Sequence, residues 1–226
     1  MSLPKPSSEA MDFFRQCLPE EKISPFLRKL TLLGEFLYEM NRQVNLTAIR
    51  ETGFWSLHAA DSLSVVRDFP ELFQAGKRIA DLGCGAGFPS LVLSSAFPEL
   101  EFTSIDSTRK KIDFVNAAAE KLELFNLKGV HGRGNELGRK SPFKGSYDAV
   151  FARAVASADV LIREASGFLK PDGSLIVYRT PDQYHSELEY LKKRKAGMFR
   201  GTEPFPLPDQ TGTRMFLQIK QMREMH

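Results

Sequence analysis

The chain is poor in the residues that build staples and metal sites. Its 226 residues include two cysteines, Cys17 and Cys84, and four histidines. Neither cysteine has a second Cys or a His at metal-ligand spacing, which argues against a disulfide framework and against a zinc site. A reducing, cytoplasmic compartment is expected. No run approaches the roughly 18 apolar residues of a membrane span, and the opening MSLPKPSSEAMDFFRQC has no long apolar segment of the secretory kind. A large excess of one sign of charge is lacking too. The formal net charge is +3 and the pI about 8.8, a balance that permits a nucleic-acid partner without announcing one.

What is present is apolar side chain: 42% of the residues are hydrophobic, enough to bury a substantial core. Up to Phe69 the pattern is helical, with Phe26, Leu30, Leu33, Leu37 and Met40 recurring at steps of three and four. A second helical stretch, FWSLHAADSLSVVRDF, follows NRQVNLTAIRETG, and PELFQAGK then forms a joint punctuated by Pro70 and Gly76. Residues 1–69 therefore read as a helical appendage and residues 70–226 as the main unit. From Arg78 onward, short β-type runs (RIADL, EFTSID, KGVHG, YDAVFA, SLIVYR) alternate with helical ones (PSLVLSSAF, RKKIDFVNAAAEKLEL, ADVLIREASGFL). That alternation predicts an α/β fold, a mostly parallel sheet with helices on both faces. The end of the chain reads as the helix DQYHSELEYLKKRKAG and a last strand, TRMFLQIKQ. In that strand Phe216, Gln218 and Lys220 share one face, Leu217 and Ile219 the other.

In RIADLGCGAGFPSLVLSSAF, Gly83, Gly85 and Gly87 lie between a strand and a helix whose first position suits Pro89. Such a turn faces the crevice at the carboxyl ends of the strands. Without Cβ atoms, a small polar ligand can lie against backbone N–H groups at a positive helix end. A dinucleotide fingerprint fails, because Phe88 or Ser90 stands where the third glycine belongs, and no Gly-Lys-Ser/Thr completes a phosphate loop. The remaining D-L-G-x-G-x-G-F resembles the first motif of class I S-adenosylmethionine-dependent methyltransferases. Asp106, ending the second strand, lies close to the roughly 20-residue spacing at which an acidic residue accepts ribose hydroxyls; a helix cap is the other explanation. Gly134 and Asn135 in GRGNEL stand where that class places residues against adenine, or they simply make a turn.

NLTAIRE, HAADSL, DLGCGAGFPS, DSTRKK, FARAVAS and RMFLQIK, in order from about Asn41 to Lys220, together resemble the glucose-inhibited division protein B family of bacterial 16S ribosomal RNA methyltransferases. The resemblance implies a class I, Rossmann-like fold with a mostly parallel seven-stranded sheet and S-adenosylmethionine as cofactor. It also implies transfer of a methyl group to guanine N7. The implied partner is 16S ribosomal RNA or the small ribosomal subunit, with no membrane and no metal, and a monomer is expected. Cofactor contacts are implied at Gly83, Gly85, Gly87, Phe88, Asp106, Gly134, Asn135 and Arg153, and substrate contacts at Arg153, Arg179, His58 and Asn45. The chain departs from the family at Met40 (commonly Trp), Cys84 (Thr or Ser), Asn135 (acidic) and Arg179-Thr180 (Lys-Gly).

Each of these residues also has a plainer role open to it. Arg153, at the end of the fourth strand, can grip a carboxylate, a phosphate or a guanine edge, or make a structural salt bridge. His58 and Asp61, one helical turn apart, can brace each other or cap and pack. Asn45 can make an Asx turn. RKK at Arg109 to Lys111 and KKRK at Lys192 to Lys195 are phosphate contacts only if RNA is the partner. No Ser/His/Asp or paired-carboxylate set is evident, and guanine N7 asks for none, since it carries a lone pair and no proton. Adenine-N6 chemistry would call for Asn/Asp-Pro-Pro-aromatic where FARAVAS stands. Two other functions stay open: methyl transfer to another RNA site or a small molecule, and non-catalytic RNA binding in assembly.

Overall fold

The computed structural model describes residues 3–153, 156–194 and 197–220. Ala154 and Val155 of FARAVAS and Lys195 of KKRK lie outside them. The chain opens with α1 (Ser8–Cys17), whose first turn is capped by the Ser7 hydroxyl accepting from the Ala10 N–H at 3.0 Å. In α2 (Glu20–Asn41) Phe26, Leu30, Leu33 and Leu37 of the predicted stripe are buried, and Met40 at its end is half-buried. The second helical stretch is not one regular helix. It is a π-helical segment, Phe54–Ala60, followed by two short pieces, α3 (Asp61–Leu63) and α4 (Val65–Asp68). Widened helices of this kind collect at functional sites, and His58 lies in this one.

Strands β1 (Arg78–Leu82), β2 (Glu101–Asp106), β3 (Leu127–His131), β4 (Tyr147–Arg153) and β5 (Leu169–Arg179) pair in parallel in the order β3-β2-β1-β4-β5. Four helices fall between or after them: α5 (Ser90–Ala96), α6 (Arg109–Lys121), α7 (Gly134–Leu137) and α8 (Ala158–Ala165). After α9 (Pro181–Arg194) come β6 (Met198–Gly201), β7 (Phe205–Pro206) and β8 (Thr213–Lys220). β8 inserts antiparallel between β5 and β6. The sheet has eight strands where seven were expected, because β7 also pairs with β8. Two residues, one of them a proline without an N–H, give no periodic signal. β6 was likewise invisible in the sequence, since none of its residues is fully buried.

Alternation along the strands divides two hydrophobic clusters. Ile79, Ala149, Phe151, Ile176 and Phe216 face a cluster with α1, α2, the π-helical segment, α5 and α6. Ala80, Val150, Ala152, Val177, Leu217 and Ile219 face the other, with α8. The helices before Phe69 thus share a core with one face of the sheet. Strand order reverses between β1 and β4, so the crevice beyond their carboxyl ends is where an open α/β sheet binds ligands.

Candidate active site

The turn leaving β1 has φ of +66° at Gly83, +57° at Gly85 and +84° at Gly87, values that L side chains rarely adopt. At Gly87 the space is closed as well, because a Cβ would collide with the Leu91 side chain. At Gly85 the space is open, with nothing within 4 Å of a Cβ position. The turn is tied to β2: the Gly83 and Cys84 N–H groups both donate to the Ile105 carbonyl, at 2.8 and 3.1 Å. Asp106 completes the tie. Its Oδ2 accepts from Gly85 N–H at 3.0 Å and its Oδ1 from Thr108 N–H at 2.8 Å.

Beside this turn lies a cavity of about 420 Å³, walled by Gly83, Asp106, Lys111, Gly134, Val160 and Glu164 among others. Gly83, Asp106 and Gly134, all expected at a cofactor site, meet there. Asn135 does not join the wall: it is exposed, and its N–H donates to Glu164 Oε2 at 3.0 Å. Phe88 is buried and stacks on the His58 ring with centroids 4.1 Å apart.

Arg153 stands at the carboxyl end of β4, as the sequence suggested, but its guanidinium turns toward the helices. Nη1 donates to the Leu57 carbonyl and to Asp61 Oδ2, both at 2.9 Å; Nη2 lies 3.4 Å from His58 Nδ1; and the group sits 5.5 Å from the Phe88 centroid. The other Asp61 oxygen accepts from Arg214 Nε at 2.6 Å. An arginine can only donate, so His58 Nδ1 accepts and Nε2–H points to Thr47 Oγ1 at 3.0 Å. Burial first, then the neighbouring Arg153 charge, pushes the His58 pKa well below its ordinary value. The imidazole is therefore neutral.

One expected substrate contact, Arg179, is corrected by its surroundings, and for Asn45 only the turn reading is. Arg179 is 3% exposed: Nε and Nη2 both reach the Glu187 carboxylate, at 2.9 and 3.0 Å, and Nη2 also reaches the Ala156 carbonyl. A buried guanidinium needs such partners, and this one has no arm left for a substrate. Asn45 is exposed and does not make the anticipated turn. Asn41 makes it, its carboxamide oxygen accepting from Leu46 N–H at 2.8 Å and Thr47 N–H at 3.0 Å.

Sequence reasoning missed Asp81, Glu164 and Arg214. Asp81 is buried in β1. Its Oδ2 accepts from Ser90 N–H at 3.1 Å, while Oδ1 has no partner among the described residues. Burial raises its pKa to about 6, against the opposing pull of its Ser90 bonds. Its place as the first residue of D-L-G-x-G-x-G-F was the available signal. Cys84 is buried, and its thiol is pushed well above its ordinary pKa by burial and then by the Asp81 and Asp106 charges, so it is no nucleophile.

These features suit a nucleoside bearing an amino-acid tail. The Asp106 carboxylate is able to accept from hydroxyl groups, the bare turn at Gly85 leaves room for a polar group against the backbone, and the orphaned Asp81 oxygen is a buried acceptor. Among the described residues no group of three or more His, Cys, Asp or Glu could hold a metal, and no helix is long and apolar enough to cross a membrane.

The family model described as rRNA small subunit methyltransferase G (GidB) matches residues 27–211. The chain is 36% identical over 207 residues to a ribosomal RNA small subunit methyltransferase G of Deinococcus deserti, covering 89% of this chain and 83% of that one. It is 35% identical over 218 residues to the protein of the same name from Bacillus cytotoxicus, covering 93% and 90%. Among solved structures, a SAM-dependent O-methyltransferase from Thermotoga maritima shares the fold at a TM-score of 0.57 and 18% identity, over 84% of this chain and 73% of that one.

Proposed function

The chain belongs to the GidB family, rRNA small subunit methyltransferase G, and from that premise we propose that it methylates N7 of a guanine in 16S ribosomal RNA. It is an S-adenosylmethionine-dependent enzyme. The observation that carries the reading is the cavity at the sheet's switch point, where the glycine turn is folded onto Asp106. S-adenosylmethionine, when bound, supplies a methyl group on a positively charged sulfur. Gly83, Gly85 and Asp106 are the residues to hold it, with Asp106 taking the ribose hydroxyls.

What remains for the chain is to position the base and exclude water, a proximity task. N7 has no proton to lose, and the residues packed at the glycine turn fit that economy. His58 is neutral with both ring nitrogens engaged inside the protein, and Cys84 is a buried thiol. Arg153 and Arg214 bring cationic, donor-only groups to the carboxyl edge of the sheet, suited to the O6 edge of guanine or a phosphate. A paired guanine in A-form RNA hides N7 in a groove too deep and narrow for side chains, so the target lies in a loop or an unstacked position.

Residues 1–69 serve in this reading as the appendage and 70–226 as the cofactor-binding unit, in a cytoplasmic monomer; light scattering at a mass near 25.5 kDa checks the last point. The chemistry is tested on ribosomal RNA from cells with and without the protein. Methylation at N7 makes the base labile to borohydride and aniline, so the deletion strain is expected to lose one strand cut in 16S RNA. If every cut persists and a different methylated base disappears, the N7 assignment is wrong.

A further inference from the structure

The cavity wall contains two carboxylates, and the second has no assigned task. Both oxygens of Asp106 are anchored by backbone N–H groups at the end of β2. Glu164 enters from α8. Its Oε2 accepts from Asn135 N–H at 3.0 Å, and its Oε1 makes no hydrogen bond among the described residues. The fit around it is tight: a Cβ at Gly134 would lie 2.7 Å from the Glu164 backbone carbonyl and 2.8 Å from Oε2, so only glycine at 134 lets this carboxylate seat against the turn after β3. Ile105, Val160 and Leu161 add apolar surface to the same wall.

We propose that Glu164 is the residue that selects the purine of the cofactor, its free oxygen accepting from an exocyclic 6-amino group and repelling a 6-oxo group. The proposal rests on the reading of this cavity as the methyl-donor site. A carboxylate oxygen with free lone pairs accepts and cannot donate. Adenine offers it N–H at position 6, whereas hypoxanthine offers a carbonyl oxygen, setting lone pairs against lone pairs. The Asn135 N–H could have favoured the carbonyl, but it is spent on Oε2. Glu164 is half-buried; once a base covers it, an analogue that cannot donate leaves the free oxygen unmatched, and such a site rejects it. Asp106 reads the sugar, so of the two carboxylates in the wall the one left to meet the base is Glu164 on α8.

A plainer role for Glu164 is to cap α7 through the Asn135 N–H, and the test separates the two. Glu164→Gln keeps an acceptor for that N–H but turns an NH₂ group toward the cavity. Binding of S-adenosylhomocysteine and of S-inosylhomocysteine is measured by calorimetry on wild type and variant. Wild type is expected to prefer the adenosyl ligand by roughly tenfold or more, the size of a hydrogen bond to a charged group. In the variant the adenosyl ligand weakens by a similar factor while the inosyl ligand does not, and the preference collapses. Parallel weakening of both ligands, or no change in either, overturns the proposal and leaves Glu164 as a cap. Should the variant not fold, a wild-type preference near unity overturns it as well. Wild type binding neither nucleoside is a different failure, that of the methyl-donor reading itself.

Discussion

Asp61 and Arg153 meet at 2.9 Å across the junction of helices and sheet, and the remaining Asp61 oxygen takes Arg214 at 2.6 Å. One carboxylate, 3% exposed, thus answers two guanidiniums that are 13% and 19% exposed. Removing it strands two cations in a poorly hydrated place. Asp61→Asn is expected to destabilise the protein by about 3 kcal/mol, toward the lower end for breaking a buried pair. The urea midpoint measures this, and a midpoint shift equivalent to less than about 1 kcal/mol would mean that the two arginines find water instead.

Arg153→Lys keeps the charge and loses the geometry. One ammonium cannot serve the Leu57 carbonyl and Asp61 while lying flat near Phe88 and His58. Turnover on small-subunit RNA is expected to fall at least tenfold, about 1.4 kcal/mol in the barrier. A lysine variant that methylates at the normal rate would make Arg153 a structural cation only.

Asp106→Ala removes the expected ribose acceptor together with the anchor of Gly85 and Thr108. Affinity for S-adenosylhomocysteine should drop by about 1.5 to 3 kcal/mol, read by calorimetry. An unchanged affinity would place the nucleoside elsewhere.

Two buried groups give opposite pH slopes. His58 is held below its ordinary 6.5, so the unfolded chain takes up the proton first and stability falls as pH drops below 6.5. Asp81 is raised from 3.8 to about 6, so the folded chain takes up its proton first, and stability rises as pH drops through 6 toward 3.8. Below pH 6.5, His58→Gln should gain on wild type by about 1.4 kcal/mol per pH unit. Parallel stability curves for the two proteins would show that His58 charges freely in the fold.

Arg109 and Lys110 are exposed at the start of α6, next to Thr108 and Lys111 in the cavity wall. Changing both to Gln should weaken RNA binding at low salt. The slope of log affinity against log salt should shrink by about 0.7 for each phosphate that the variant no longer neutralises on a single strand. Cofactor affinity should stay as it is. A salt slope that does not move would return this pair to a merely solvated face.

The legible part of this protein was the part whose partners are near in sequence or repeat with a period. The glycine turn could be read because strand, turn and helix are consecutive, and Asp106 because a fixed spacing joins it to that turn. The β1 to β5 alternation and the α2 stripe were equally plain. Arg153 could be placed at its strand end, but not aimed, since its partner Asp61 lies 92 residues away and Asp61's other partner 153 residues away. Arg179 was misjudged for a different reason: its partner Glu187 is only 8 residues on, but a basic residue at a strand end looks like a substrate contact until α9 is seen to fold back over it. Glu164 carried no signal, being one acid on the polar side of a short amphipathic helix. Asn41 and Asn45 flank the same loop, and composition alone could not say which side chain would turn inward to hold it.

The Asp61–Arg214 pair also sets a schedule for making the molecule. A chain emerging from its own synthesis acquires Asp61 early and Arg153 midway, but Arg214 belongs to β8, which inserts between two strands already made. Until that strand arrives, the carboxylate has half its counter-charge and the far edge of the sheet is open. The glycine turn and Asp106 belong to strands made before it, so the part of the chain that shapes the cavity precedes the part that closes the sheet's far edge.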